Sequence, residues 1–352
     1  MSTAQHRIGN IDIVRGIAAI CVMLQHSLEA SGIQSLDRSG FGYNWINLGN
    51  AGVVAFFLVS GFVIPLSLER SNDLKRFWFS RICRIHPLYI FAVLMGGMIY
   101  HTGFSIRSFV AHFLLVQEYV GIQDVVPNSW TLSLELVWYF LFSALFVFGL
   151  NHNSRVITAL IVGVIACGTV ATCVGGPSIP MGRVGLIGTC TFGLFAYRIS
   201  KGENVRIHAY CLAVIAMSIV IGLYVRFGLF PRESTLALSF RCLVSSWTLG
   251  YLLFGISFLN LPMGRLDAPL RLLGTISYSV YLLHPFVLWI LEETMLRGWL
   301  FVCAVPLLTI PAASATYILI EKPGIQFARL GLRKNQPMVI QDGLSQVRVV
   351  EE

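Results

Sequence analysis

Arg15 and His26 lie eleven residues apart on one apolar stretch near the start of the chain, Ile11–His26. Ionisable groups inside a bilayer are costly, so their presence there is a functional signal. Eleven helical residues rise about 16 Å and nearly close three turns. The two side chains are therefore expected on one helix face, one near a membrane edge and the other deep. A neutral imidazole is the usual general base near neutral pH, and His26 is the candidate. The competing reading is a histidine packed and hydrogen-bonded for structure alone. Arg15 needs an anion, a carbonyl or water. Asp12, three residues earlier, offers a structural pair; a phosphate or carbonyl of a substrate is the functional alternative.

Three further segments carry candidate chemistry. In Arg81-Ile82-Cys83-Arg84-Ile85-His86-Pro87 two arginines project from one side of a helix start, with Pro87 expected in the first turn. Guanidinium forks match phosphate oxygens, although the same charges serve membrane anchoring. Lys75 and Arg76 already supply anchoring, which leaves Arg81 and Arg84 for another task. Trp130-Thr131-Leu132-Ser133-Leu134-Glu135 opens a helix that continues to Tyr139. Glu135 is expected at the depth of His26, where a carboxylate would orient the imidazole, and Tyr139 shares its face. An interfacial aromatic belt with a solvated Glu is the plainer reading. Tyr281 and His284 are three apart and either line a substrate path or bond neighbouring helices. Gly49, Gly52, Ser60 and Gly61 read as close-packing residues.

The elements that position these groups are helices in a membrane. The chain of 352 residues is 56% hydrophobic and 12% charged, with a mean hydropathy of +0.73. A soluble domain carries about twice that charge. The expected fold is all-α, a polytopic integral membrane protein whose bundle has about ten transmembrane helices. Apolar runs of spanning length fall at 11–30, 48–68, 85–101, 130–150, 156–174, 184–200, 208–227, 236–259, 272–293 and 299–320. A shorter run at 107–120, with His112 and Glu118, reads as interfacial or re-entrant. The first run is a full span without a cleavage site, which argues against a signal peptide.

The net charge of +8 does not indicate nucleic acid, because the basic residues are scattered over short loops. With the N-terminus inside, most of the 25 lysines and arginines fall on the cytoplasmic side, among them Arg7, Arg70, Arg198 and Lys201. Both termini are thus expected in the cytoplasm, with residues 1–323 forming the transmembrane domain and 324–352 a polar tail. The eight cysteines form no CxxC pair, so neither disulfides nor a metal site is indicated. No internal repeat is evident, which weakens an inverted-repeat transporter reading.

Taken in order, these segments resemble the membrane acyltransferase 3 family. Arg15 through His26 is similar to its arginine–ten residues–histidine signature. Gly52-Val53-Val54-Ala55-Phe56-Phe57-Leu58-Val59-Ser60-Gly61-Phe62 is similar to its second-helix pattern, and Arg81 through Pro87 to its arginine-pair motif. Trp130 through Glu135 resembles Trp-Ser-Leu-x-x-Glu, with Thr131 in place of the usual Ser and Trp138 where Phe is common. Ile276–His284 and Ile320-Glu321-Lys322-Pro323 resemble its last two helices. The likeness spans residues 10–323, and six weak motifs in one order make a strong signal. The esterase-like domain fused to some members has no counterpart, so a stand-alone transferase is expected.

Membership implies acyl transfer from acetyl-CoA or another short acyl-CoA to a hydroxyl of a glycan or related acceptor, at the cell (inner) membrane. The residues then divide into His26 with Glu135 at the chemistry and Arg15, Arg81 and Arg84 on the donor. Tyr139, Tyr281 and His284 would line the substrate path. Polysaccharide-synthesis machinery is the implied protein partner. The rival from another class is a non-enzymatic carrier exporting an acylated or anionic glycan, with Arg15 and His26 as gating groups.

Overall fold

A computed structural model describes residues 3–33, 44–99, 105–176, 179–230, 238–259 and 264–334. These residues are helical with short connections, in the order α1 (Thr3–Ala30), α2 (Leu48–Ser71), α3 (Leu74–Ile99), α4 (Ile106–Phe113), α5 (Trp130–Val147), α6 (Ser154–Cys173) and α7 (Met181–Ser200). There follow α8 (Val205–Leu223), α9 (Phe240–Ile256), α10 (Asp267–Thr275), α11 (Ser277–Glu292), α12 (Gly298–Thr316) and α13 (Lys322–Lys334). Among them, seven are long and apolar enough to cross a bilayer, or eight if the bent pair α10–α11 counts as one. The 20-residue α7 and the 17-residue α9 are the remaining apolar segments expected to span. The chain is a multi-pass membrane protein.

α2 is the centre of the bundle, packed by α1, α7 and α9. Small residues make this possible. A Cβ on Gly52 would meet the Ala18 carbonyl of α1, and one on Gly61 the Cys190 carbonyl of α7. Without a hydrophobic drive between helices in lipid, such close backbone contact is what holds them together. Asn47 caps the helix by accepting from the Asn50 amide at 2.7 Å.

Several expectations need correction. The run at 85–101 begins eleven residues earlier, at Leu74, so Arg81 and Arg84 sit inside α3 and Pro87 lies mid-helix, not in the first turn. Pro87 has no N–H to give the Cys83 carbonyl, and Gly324 of α13 packs onto that carbonyl. The span expected at 272–293 is bent by 71° between α10 and α11, where Gly16 of α1 and Gly274 of α10 bring the two backbones together. Arg198, expected as a loop charge, is only 3% exposed and pairs with Glu69 and Glu203. The segment expected as a polar tail begins as helix α13, which packs on α3; residues 335–352 lie outside the described residues. The 107–120 region is the eight-residue α4 followed by turns.

Candidate functional site

Two cavities meet at the arginines. The inner one, about 290 Å³, is mostly apolar and is walled by Phe56, Ser60, Glu135, Tyr139, Tyr278 and Tyr281. The other, about 370 Å³, is polar and includes Ser80, Tyr317, Glu321 and Arg329. Asp12, Arg15, Arg81 and Arg84 line both. Helices α1 and α3 thus place three guanidiniums at a junction between a polar vestibule and an apolar chamber.

The charges at this junction are only loosely paired. Arg15 Nη1 is 3.7 Å from Asp12 Oδ1, the local pair anticipated from the spacing. Arg84 Nε stands 4.0 Å from Glu321 Oε1, and that fully buried carboxylate oxygen accepts no hydrogen bond. Ser279 donates to the other oxygen of Glu321 at 3.0 Å. Arg81 lies over the rings of Phe77 and Tyr139 at 5.5 and 5.9 Å, with a buried Nε that has no hydrogen-bond partner. A buried donor without an acceptor is expensive, and a phosphate oxygen at the junction would satisfy it. The donor set therefore suits a phosphorylated ligand.

Glu135 does not reach His26. Its Oε1 accepts from Ser60 Oγ at 2.6 Å and from Tyr139 at 2.9 Å, the latter as the i,i+4 spacing implied. The carboxylate that His26 uses is Glu29, whose Oε2 is 3.2 Å from Nδ1. Glu29 is one turn along the same helix and its side chain is 7% exposed, against 35% for His26.

His26, which is partly exposed, differs from the buried imidazoles. His112 has Nδ1 2.8 Å from the Ser108 carbonyl and Nε2 3.0 Å from the Val125 amide. His208 has its nitrogens 2.7 Å from the Asn204 carbonyl and 3.0 Å from Ser154 Oγ. His284 likewise engages the Val280 carbonyl at 3.1 Å and Asn128 Nδ2 at 3.0 Å. For His26, only Nδ1 is engaged among the described residues. Its Nε2 is left as the open nitrogen.

Neither His26 nor His284 lines either of these two cavities. They join the inner chamber through rings: Tyr281 on its wall meets His284 edge-on at 6.0 Å, and His284 stacks on His26 at 5.6 Å with 13° between planes. Thr131 at the start of α5 holds the Tyr281 hydroxyl at 2.8 Å. Sequence reasoning missed Glu29, Asn128, Ser60 and Glu321 as site groups. The i,i+3 spacing from His26 would have found Glu29; Asn128 sits in a connection where no periodicity speaks for it.

A family model described as "Acyltransferase domain" (Acyl_transf_3) matches residues 8–321, which includes every residue named at this site except Arg329. The chain belongs to this acyltransferase family. It is 27% identical over 148 residues to the acyltransferase MdmB of Streptomyces mycarofaciens, covering 39% of this chain and 38% of that protein. The peptidoglycan O-acetyltransferase OatA of Listeria monocytogenes is 24% identical over 93% of this chain and 56% of its own length. The exopolysaccharide production protein ExoZ of Rhizobium meliloti is 24% identical over 87% of this chain and 96% of its own. The chain thus spans well under two thirds of some of these relatives. No solved structure matches it. Within this acyltransferase domain, the arginine junction holds an unpaired Arg81 Nε and an unpaired Glu321 Oε1, and the His26–Glu29 pair leaves one imidazole nitrogen unengaged among the described residues.

Proposed function

We propose that this protein is a membrane O-acyltransferase that moves an acyl group from acetyl-CoA, or another short acyl-CoA, to a hydroxyl of a glycan. The observation that carries the reading is the junction itself: three guanidiniums between a polar vestibule and a narrow apolar chamber. Arg81 and Arg84 hold the donor's phosphates there, with Arg15 beside them. The donor supplies an activated thioester, carried on an arm slim enough for the chamber.

The acceptor side is the His26 end of α1, about 16 Å of helix away from Arg15. Glu29 accepts a hydrogen bond from Nδ1–H of His26, which fixes the tautomer and leaves Nε2 bare. Nε2 then receives the acceptor hydroxyl's proton as its oxygen attacks the acyl carbon; the acyl carbon–sulfur bond breaks, and the leaving CoA thiolate takes its proton from the imidazolium. Glu29 stabilises the imidazolium that results, the part first expected of Glu135. A base of this kind contributes about 10²–10⁴-fold. Glu135, Ser60 and Tyr139 instead shape the chamber wall. With N-in orientation the arginines face the cytoplasm, where acyl-CoA is made, and His26 faces the outside, where glycan is assembled.

The test is transfer of radiolabel from acetyl-CoA to glycan acceptors by the purified protein in nanodiscs. Labelled ester that disappears in His26→Ala supports the reading. Wild-type transfer by His26→Ala refutes the base assignment, and movement of glycan without any new ester refutes the enzyme.

A further inference from the structure

His284 is fully buried, and its two hydrogen bonds determine its protonation. Its Nδ1 is 3.1 Å from the Val280 carbonyl, which can only accept, so Nδ1 carries the hydrogen. Its Nε2 is 3.0 Å from the Asn128 side-chain amide. With Nδ1 protonated, a neutral ring offers only a lone pair at Nε2, so the amide presents its N–H there. A second proton on Nε2 would point into that N–H. The Asn128 backbone is held, since its main-chain carbonyl accepts from Thr131 Oγ1 at 3.0 Å and from Tyr281 at 3.4 Å.

This neutral ring lies parallel to His26 at 5.6 Å between centroids. We propose that Asn128 and His284 are positioning residues for His26: the amide keeps His284 uncharged, and the uncharged ring fixes the plane of His26 and tolerates its becoming an imidazolium. The proposal rests on the reading of His26 as the base. Were His284 to ionise, two like charges would face each other across the stack, and His26 would accept a proton less readily.

The other titratable groups on elements packed around α11 leave this ring to Asn128. Glu29 of α1 bonds His26. Asp124, ahead of α5, accepts from Gln117 and Ser129, both at 2.9 Å. Glu321 accepts from Ser279. Tyr278 donates to the Ile85 carbonyl at 2.9 Å, Tyr281 is bonded to Thr131, and Tyr89 on α3 is a buried, uncharged phenol. Asn128 is the residue that touches Nε2.

The experiment has two arms on the full chain in nanodiscs. In the first, solid-state NMR with isotope-labelled histidine reads the His284 tautomer, assigned by the signal lost in His284→Gln. Wild type is expected to show Nδ1–H with bare Nε2 at neutral pH, and Asn128→Asp a doubly protonated ring, because an imidazole binds the shared proton more tightly than the carboxylate that faces it. In the second, the pH profile of acetyl transfer from radiolabelled acetyl-CoA to exopolysaccharide oligomers is compared. Asn128→Asp is expected to move the acidic midpoint of kcat down by roughly one unit, with the KM for acetyl-CoA unchanged.

A wild-type His284 protonated at Nε2, or a singly protonated ring in Asn128→Asp, overturns the clamp. A doubly protonated ring with an unmoved midpoint overturns its link to His26. Wild-type transfer by His26→Ala overturns the base reading, and is told apart because the tautomer signals need no catalysis.

Discussion

Ser60 of α2 donates to Glu135 of α5 at 2.6 Å, across 75 residues of sequence. Tyr139 donates to the same oxygen. These bonds turn the carboxylate onto the chamber wall, where it faces the junction arginines and not the imidazole. In the proposed function it holds wall and charge in place around the donor.

Removing that support has a measurable consequence. Ser60→Ala leaves Oε1 with Tyr139 alone, and a hydrogen bond to a charged group is worth about 1.5–3 kcal/mol. Loss of kcat/KM by about ten- to a hundred-fold is expected, with the protein still folded by size-exclusion profile. Tyr139→Phe is expected to act in the same direction. If Ser60→Ala transfers acyl groups at the wild-type rate, the wall carboxylate is irrelevant to turnover.

The arginines are separable from the imidazole by what is bound. Arg81→Ala with Arg84→Ala is expected to weaken CoA binding by about a hundred-fold or more, since each charge-assisted contact to a phosphate contributes about 1.5–3 kcal/mol. His26→Ala, at the other end of α1, is expected to bind CoA normally while losing transfer. Calorimetry with CoA on both variants decides. Normal binding by the double variant removes the phosphate clamp.

The parts of the fold legible in the sequence are those whose physics is local. The apolar runs are helical over most of their described residues, with 272–293 divided into two helices at a 71° bend, because twenty apolar residues in lipid have few other ways to satisfy their backbone. Asp12–Arg15 and Glu135–Tyr139 were readable because i,i+3 and i,i+4 neighbours must meet. The partners that define the site are mostly distant in sequence: Ser60 with Glu135, Asn128 with His284, Ser279 with Glu321. No periodicity encodes such pairs. The start of α3 was misjudged because Leu74–Arg84 is too polar to read as a span, although it runs into the apolar residues up to Ile99 as one continuous helix.

The clasp around Arg198 makes a prediction about stability. Its guanidinium bonds Glu69 and also reaches Glu203 at 3.3 Å and the Asn151 carbonyl at 3.0 Å. Glu69 accepts further bonds from Asn151 at 3.1 Å and Tyr197 at 3.2 Å. Breaking a buried pair by removing one member costs about 3–5 kcal/mol, because the other is stranded. Arg198→Met is expected to lower the unfolding temperature in detergent sharply. Arg198→Met with Glu69→Gln is expected to recover part of that loss, and a strictly additive double variant would show that the two do not act as a pair.

The α2–α7 crossing offers the sharpest steric test. A Cβ on Gly61 would strike the Cys190 carbonyl, and one on Gly193 the Leu58 carbonyl, so each helix presents its glycine to the other's backbone. Backbone in mid-helix cannot rotate away as a side chain can, and overpacking of this kind costs about 1–3 kcal/mol per site. Gly61→Ala and Gly193→Ala are each expected to lower thermal stability. Gly163→Ala on α6, where nothing lies within 4 Å of the added carbon, is expected to be neutral or slightly stabilising. Gly61 also adjoins Ser60, so helices forced apart there draw the hydroxyl away from Glu135. Gly61→Ala should therefore lose more activity than Gly193→Ala for the same loss of stability. Equal activity losses at matched stability would mean that the crossing and the chamber wall are mechanically independent.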